Sequence, residues 1–420
     1  MRLALAGIFP VHAVWKPGGG TASPSLGVKV NKKLAGSALV WALLPALSSP
    51  ALAEGIEFTG SGFLTIAAGK VLGGTPDNPG INPGYLGYRG PHFISDWAQG
   101  GVYEGNGVQF KADTRLGLQG SAIFNPELSV TAQIVARGAR DGNVDLEWLY
   151  GSYKLADSLT LQLGRKRLPI LYYSESQDVG HSYAWVHLPP DLYGWQIVNY
   201  NGANLMYQGQ VGAWSYTANA FAGAETNKDA GYWKLYKGYG KDSKPKVRWS
   251  DILGGDLTLS KGWFETRIGY FQNYSENSDP ATGDYLPKYR QKTYTLGFII
   301  DYDQWILRNE YYVGDLSQVD ERDYAQIYAI GYRIGKFTPM LTYSNFYQRY
   351  VLGGIKGYSP NDEERHDTRS FSVRYDLNTS SDLKVQYDDY RDRAGSAFMA
   401  SGQVPAGNVR LISVSYDKVF

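Results

Sequence analysis

The chain has 420 residues, with 41 Lys+Arg against 40 Asp+Glu, 50 Gly, 34 Tyr and no Cys. The absence of Cys excludes disulfides and thiolate metal sites, and the balanced charge argues against a general nucleic-acid-binding protein. After Ala53 no stretch approaches the ~18 consecutive apolar residues of a transmembrane helix, although a membrane β-barrel has an equally soluble-looking composition because only alternate residues meet lipid.

Taken in chain order, Asn31-Lys32-Lys33 is a basic segment, Leu34 to Ser49 is apolar, and Ala51-Leu52-Ala53 has the small-x-small pattern of a cleavage site. A signal peptide over 30–53 is expected, with cleavage before Glu54. The apolar run is too short for a membrane anchor. Residues 1–29 precede the basic segment, include Lys16-Pro-Gly-Gly-Gly20, and read as a non-native N-terminal extension. Residues 54–420 then form a single unit without a domain break.

From about Ile56 that unit repeats one pattern: an alternating segment, a very short turn, another alternating segment, a longer polar connection. The short turns fall at Asn125-Pro-Glu127, Ala156-Asp-Ser158, Val211-Gly-Ala213, Lys261-Gly262, Asp303-Gln304, Gly335-Lys336 and Asn378-Thr-Ser-Ser381. Each is short enough to close a hairpin. The longer connections fall at about 71–106, 139–143, 169–195, 225–248, 274–291, 313–322, 347–367 and 392–408. Several are rich in Gly, Pro, Asn and Asp, as in Thr75-Pro-Asp-Asn-Pro-Gly-Ile-Asn-Pro-Gly84. Fifteen connections predict sixteen strands, the first about Ile56 to Gly69 and the last about Val409 to Phe420. Short turns at one end and long loops at the other is the asymmetry of outer-membrane barrels.

Parity follows strand by strand. Leu116, Leu118, Ala122 and Phe124 oppose Arg115, Gln119 and Ser121; Val130, Ala132, Ile134 and Ala136 oppose Ser129, Thr131, Gln133 and Arg137. Tyr294, Leu296, Phe298, Ile300 and Tyr302 oppose Thr293, Thr295 and Asp301, and Phe371, Val373, Tyr375 and Leu377 oppose Ser370, Ser372, Arg374 and Asp376. In the last segment Ile412, Val414, Tyr416 and Phe420 oppose Ser413, Ser415 and Asp417. Periodicity alone does not say which face is inside. The export signal, the terminal Phe and the turn asymmetry place the polar face inside and lipid outside: an all-β, sixteen-stranded transmembrane antiparallel barrel. Trp148, Trp214, Trp263, Trp305, Tyr302, Tyr332 and Tyr416 are expected at turn-side strand ends, forming an aromatic girdle.

The third long connection stands apart. It follows Gly164-Arg-Lys-Arg167, carries Tyr172, Tyr173, Tyr183, Trp185 and Tyr193, and ends in Leu188-Pro-Pro190 and the residues just after. So much aromatic surface must be buried somewhere. Here the chain resembles a sixteen-stranded Gram-negative porin across its whole mature length. The Arg167-Leu-Pro169, Asp178-Val-Gly180 and Pro189-Pro-Asp-Leu-Tyr-Gly194 elements are similar to those of a proteobacterial porin group. One departure is Lys418, where porins usually carry an aromatic or apolar residue two before the terminal Phe. The resemblance implies export through the periplasm to the Gram-negative outer membrane, a lipid-bilayer environment and a homotrimer. It also implies a third loop, over 169–194, folded into the lumen, and passive diffusion of ions and small hydrophilic solutes through a water-filled channel.

The physics of such a pore is electrostatic filtering at a constriction. Candidate constriction residues are the inward-phased Arg115, Arg137, Lys166, Arg267, Arg308 and Arg374, with Glu175, Asp178 and Asp191 from the loop. Lys384 shares the inward phase, while Arg165 and Arg167 are ambiguous because their strand is ending. Loop carboxylates facing wall arginines across the lumen would set up a transverse field that orients dipolar solutes and sorts ions. The bland alternative makes the arginines solvated lumen residues or partners of Glu265, Glu310 and Asp376. Lumen position does not by itself imply a place in the narrow zone.

No catalytic, metal or cofactor site is expected. His181 and His187 lie near Asp178 and Glu175, but loop spacing fixes no metal geometry. Ser174, Asp178 and His181 are too close in sequence to be read as a triad on that ground. Ser359-Pro-Asn-Asp-Glu-Glu-Arg365 lacks the Gly and ligand spacing of a calcium loop. Competing readings are a plugged barrel acting in adhesion or structure, and an outer-membrane hydrolase. The hydrolase would need a Ser and His pair on the lipid-facing wall, where parity places none.

Overall fold

A computed structural model describes residues 55–75, 91–237, 243–279, 282–316, 318, 321–350, 364–393 and 407–420. The expected extension over 1–29, the signal peptide over 30–53 and cleavage before Glu54 lie outside the described residues, as do most of 75–84 and 359–365.

Eighteen strands occur among the described residues. They are β1 (Glu57–Gly74), β2 (His92–Asp96), β3 (Gly101–Glu104), β4 (Arg115–Ile123), β5 (Leu128–Arg137), β6 (Val144–Ala156), β7 (Leu159–Arg167), β8 (Asn199–Val211) and β9 (Trp214–Asn227). The series continues with β10 (Val247–Lys261), β11 (Phe264–Asn277), β12 (Tyr289–Tyr302), β13 (Trp305–Leu316), β14 (Glu321–Tyr332), β15 (Phe337–Tyr350), β16 (Arg365–Asn378), β17 (Ser381–Asp392) and β18 (Val409–Val419). Among the described residues two short α-helices, α1 (Pro190–Tyr193) and α2 (Gly231–Lys237), lie in connections.

Sixteen of the strands close one antiparallel barrel, running from β1 through β18 and β17 down to β5 and β4, which pairs back with β1. The seven short turns fall where the sequence predicts them. At Gly212, Gly262 and Asp303 the backbone takes φ of 59°, 60° and 54°, the left-handed region that glycine and aspartate enter most readily. The remaining two strands, β2 and β3, form a separate hairpin inside the first long connection. Alternation did not reveal them because His92 to Ile94 and Gly101 to Tyr103 are buried on both faces.

The barrel wall inverts the pattern of a soluble sheet. In β18, Ile412 and Val414 are 39% and 43% exposed while Ser413, Ser415 and Asp417 are at most 3% exposed. The parities of β4, β5, β12 and β16 agree with the sequence reading. Aromatic rings cluster at turn-side ends: Trp263 lies 5.4 Å from Tyr302, and Trp305 lies 4.8 Å from Tyr332, centroid to centroid. Trp148 is a correction. It sits toward the long-connection end of β6, beside Tyr150.

The barrel closes between its first and last strands. Phe63 pairs with Val419. Gly62 N–H donates to the Phe420 carbonyl at 2.7 Å, and Phe420 N–H donates back to Gly62 at 2.9 Å. Beneath this seam Thr65 Oγ1 donates to Asp417 at 2.5 Å, and Lys384 Nζ lies 3.0 Å from Asp417. Among the described residues three apolar clusters join the connections to wall residues, the smallest being Phe63, Val135 and Val179. Of the two larger, one unites Leu168, Leu171, Trp185 and Ile197 with Trp249, Tyr312 and Ile327; the other unites Phe93, Trp97 and Tyr103 of the hairpin region with Leu235 of α2 and Leu411 of β18. Each fully buried aliphatic side chain of this kind contributes about 1.5–3 kcal/mol.

Candidate functional site

The connection between β7 and β8, residues 168–198, touches more of the barrel's polar face than any strand order requires. Pro169 and Leu171 offer their carbonyls to Arg267 of β11 at 3.3 Å each. Tyr172 N–H donates to Glu310 of β13 at 2.8 Å. A single turn of 3-10 helix, Ser174–Ser176, turns the chain toward β5. The second such turn, Gly180–Ser182, lies on the seam, where Lys384 Nζ donates to the Gly180 carbonyl at 2.5 Å. Trp185 Nε1 then donates to Thr342 of β15 at 2.8 Å, and Val186 N–H donates to Gln386 of β17 at 2.7 Å.

The loop carboxylates are placed differently from the expectation that they face water across a gap. Asp178 is in direct contact with Arg137, Nε to Oδ1 at 3.2 Å and Nη2 to Oδ2 at 2.8 Å, and it also pairs with Arg167. Burial pushes this carboxyl up, but Arg137 and Arg167 outweigh burial and hold it well below the usual carboxylate range. Asp191 accepts from Ser344 Oγ at 2.5 Å and pairs with His366 of β16. Both carboxylates are buried. Glu175, by contrast, keeps a side chain 48% exposed, 3.8 Å from Arg267.

The wall cations fall into two groups. Arg137 is enclosed by Asp145, Glu147 and Asp178. Arg308 is paired with Asp301 at 2.9 Å and with the Tyr173 hydroxyl at 3.1 Å. Arg374 meets Asp376 at 2.7 Å and Asp382 at 3.1 Å, which realises the bland alternative for that residue. Arg115 donates to the Tyr183 hydroxyl. Glu310 bonds to Tyr172 and Tyr193 of the loop rather than to an arginine. Lys166 and Arg267 form the second group, near Glu175. Lys166 reaches Gln162 and lies 5.2 Å from the Tyr150 ring centroid, while Arg267 is 3.2 Å from Asp256.

Arg167, ambiguous from the sequence because its strand is ending, faces Asp178 and Glu147 and is buried. Glu147 escaped the sequence reading. Glu147 shares odd parity with the outward Leu149, so alternation assigns it to the outer face. A bulge in β6, where Gln133 pairs with Trp148 and Ile134 pairs with Leu146, leaves Glu147 as the extra residue and turns it inward.

His187 bridges two carboxylates, Nδ1 to Asp113 at 3.1 Å and Nε2 to Asp388 at 3.2 Å. Burial disfavours its charged form, but Asp113 and Asp388 prevail and push its pKa up to about 10. Ser174, Asp178 and His181 do not converge: Ser174 Oγ accepts from Leu171 N–H, Asp178 is held by arginines, and His181 meets Asp382 at 2.5 Å. Among the described residues no cluster of three or more His, Asp or Glu could hold a metal.

A closed antiparallel barrel with polar residues inward, apolar residues outward and an aromatic rim is the architecture of transmembrane β-barrels. The chain has the sixteen-stranded fold of Gram-negative outer-membrane porins. It is similar to OmpT of Vibrio cholerae in its trimer form (TM-score 0.51, 10% identity, 87% of this chain and 100% of that one). It is also similar to the outer membrane channel DcaP of Acinetobacter baumannii (TM-score 0.53, 13% identity, 89% and 99%) and to an anion-selective porin from Comamonas acidovorans (TM-score 0.50, 13% identity, 87% and 100%). No family model and no curated relative matches the chain.

Proposed function

We propose that this protein is an outer-membrane porin whose barrel carries ions and small hydrophilic solutes by passive diffusion. The observation that carries the reading is the inverted wall. Ser413, Ser415 and Asp417 are buried inside while Ile412 and Val414 face outward, which suits water within and lipid without. On this reading the 168–198 connection crosses the lumen, since its contacts reach β5, β11, β13, β15 and β17. The narrow zone lies where Glu175 opposes Lys166 and Arg267. Arg115, Arg137, Arg308, Arg374, Asp178 and Asp191 brace the constriction rather than line it. Assembly as a homotrimer is part of the proposal, supported by the trimer form of the similar Vibrio cholerae protein.

The test is reconstitution in planar bilayers under a salt gradient. Stepwise conductance is expected. Glu175→Gln should move the reversal potential toward anions, and Lys166→Gln with Arg267→Gln should move it toward cations. Absence of conductance steps would favour a barrel plugged by its loops. Steps with a reversal potential indifferent to both changes would place the constriction elsewhere.

A further inference from the structure

Trp148 has no place in the rim, and its direction shows why. The bulge in β6 leaves Trp148 in register with Gln133, and Tyr150 stands in register with Thr131. Gln133 and Thr131 are buried on the polar face, so both rings point into the barrel. The rings lie 6.2 Å apart, centroid to centroid, and both are half-buried. Leu149 pairs with Arg165 and Tyr150 with Gly164, a register that sets Trp148 beside Lys166. Gly164 adds no side chain to cover the Tyr150 ring. Lys166 Nζ lies 5.2 Å from the centroid of that ring. A ring left half-open on the polar face forgoes the stabilisation that full burial gives.

The wall around these rings is polar but carries little charge. From β4 to β9, on the side of the short turns, it presents amides and hydroxyls inward. Gln133 donates to Gln119 at 3.0 Å, Gln162 donates to Ser152 at 3.4 Å, and Asn204 donates to Gln162 at 3.0 Å and to Asn219 at 3.1 Å. The paired charges of Arg308, Arg374 and Lys384 stand on the far arc, on β13, β16 and β17. Gln119 is half-buried and, among the described residues, uses only its carbonyl oxygen, so its N–H groups remain for a ligand. Lys166 gives one donor to Gln162 and keeps two. A sugar ring has an apolar C–H face to stack on an aromatic ring and an edge of hydroxyls to bond. An ion gains little from amides already paired, and an apolar ring would leave the N–H groups without acceptors.

We propose that Trp148 and Tyr150 form a saccharide subsite on the lumen wall: a neutral sugar ring stacks across the two rings while its hydroxyls accept from Gln119 and Lys166. The proposal rests on the channel reading given above and names a class of solute for it. Gln119 pairs with Gln133, and Gln133 with Trp148, so Gln119 lies two strand spacings from Trp148, about 10 Å. A chain of two or three sugar units reaches both.

The test adds cellotriose to the full protein in planar bilayers and reads reversible interruptions of the ion current. The wild type should be interrupted in proportion to sugar concentration. Mannitol, which has hydroxyls but no ring, should not interrupt it at equal concentration. Trp148→Ala combined with Tyr150→Ala should weaken cellotriose binding at least about 10-fold, whereas Trp148→Phe combined with Tyr150→Phe should retain most of it. Resistance of the barrel to detergent before heating shows that each variant folds. No interruption by cellotriose, equal interruption by mannitol, or an unchanged affinity in the alanine variant overturns the proposal. So does benzoate binding more tightly than cellotriose, which would mark a site for aromatic acids. Saturation-transfer NMR, in a detergent without a sugar headgroup, reads binding without current. Transfer to the ring C–H protons of the sugar, lost in the alanine variant, would uphold the subsite in a protein that gave no conductance steps and would sink only the channel reading. Steps without sugar binding would sink this inference alone.

Discussion

Arg137 of β5 and Asp178 of the 168–198 connection meet at two points, 3.2 and 2.8 Å, across a sequence separation of 41 residues. The pair is buried and shares its charges with Glu147 and Arg167. Contacts of this kind are costly to break from one side, because the charge left behind stays out of water.

Asp178→Ala should therefore cost about 3–5 kcal/mol at the loop's seat, the usual penalty for removing one member of a buried ion pair. Hydrogen exchange over residues 169–194 should rise strongly while exchange in the strands changes little. Equal protection in the variant and the wild type would show that the loop is held elsewhere.

Gly180 offers a steric test. A Cβ there would lie 1.9 Å from Asp417 Oδ1 and 2.6 Å from Thr65 Oγ1. Gly180→Val should push this turn off the seam and break the Lys384 to Gly180 hydrogen bond. A more open, noisier channel is expected in single-channel recordings, with the barrel still resistant to detergent before heating. A quiet channel of unchanged conductance would refute the packing described here.

His187 gives a pH dependence with a definite sign. Its pKa is raised to about 10, so its contribution is fully present below the ordinary value of 6.5 and is lost as pH climbs through about 10. Asp113 is pushed up by burial, but its pairing with His187 outweighs this and lowers it below 3.8, so its contribution is present above that value and is lost in stronger acid. Loop protection should thus be greatest between about pH 4 and pH 6.5, decline progressively above that, and lose the His187 contribution altogether by about pH 10. His187→Gln should abolish the alkaline transition, as followed by tryptophan fluorescence. Persistence of the transition in that variant would assign it to another group.

Lys384 is fully buried, 3.0 Å from Asp417 and 3.6 Å from Asp382. Lys384→Met leaves both carboxylates short of a cation and should destabilise the barrel by about 3–5 kcal/mol. Urea unfolding in detergent, followed by gel mobility, should show a lowered midpoint. A midpoint equal to the wild type would mean that the neighbouring Arg374 suffices.

The wall was legible because a closed barrel enforces one rule at every position. Ile412 or Ser413 has only two directions to choose from, and turns such as Gly262 need a backbone few residues adopt. The rule fails where a strand breaks period. One bulge in β6 was enough to hide Glu147 and with it the cage around Arg137. It fails also where both sides of a strand are buried, as at Phe93 and Ile94. Within the third connection the sequence marked the aromatic content correctly, yet composition carries no distances. Asp178, Asp191 and Glu175 look alike on paper, and only the fold separates two buried braces from one exposed carboxylate.

The seam between β1 and β18 has a consequence for the order of assembly. Gly180 rests on Thr65 of the barrel's first strand and on Asp417 of its last, cross-strand partners 352 positions apart in sequence. The platform that receives the connection does not exist until those two strands lie side by side. The wall must therefore be complete before this connection can seat. A chain deprived of its last strand would forfeit the connection's seat together with the enclosure.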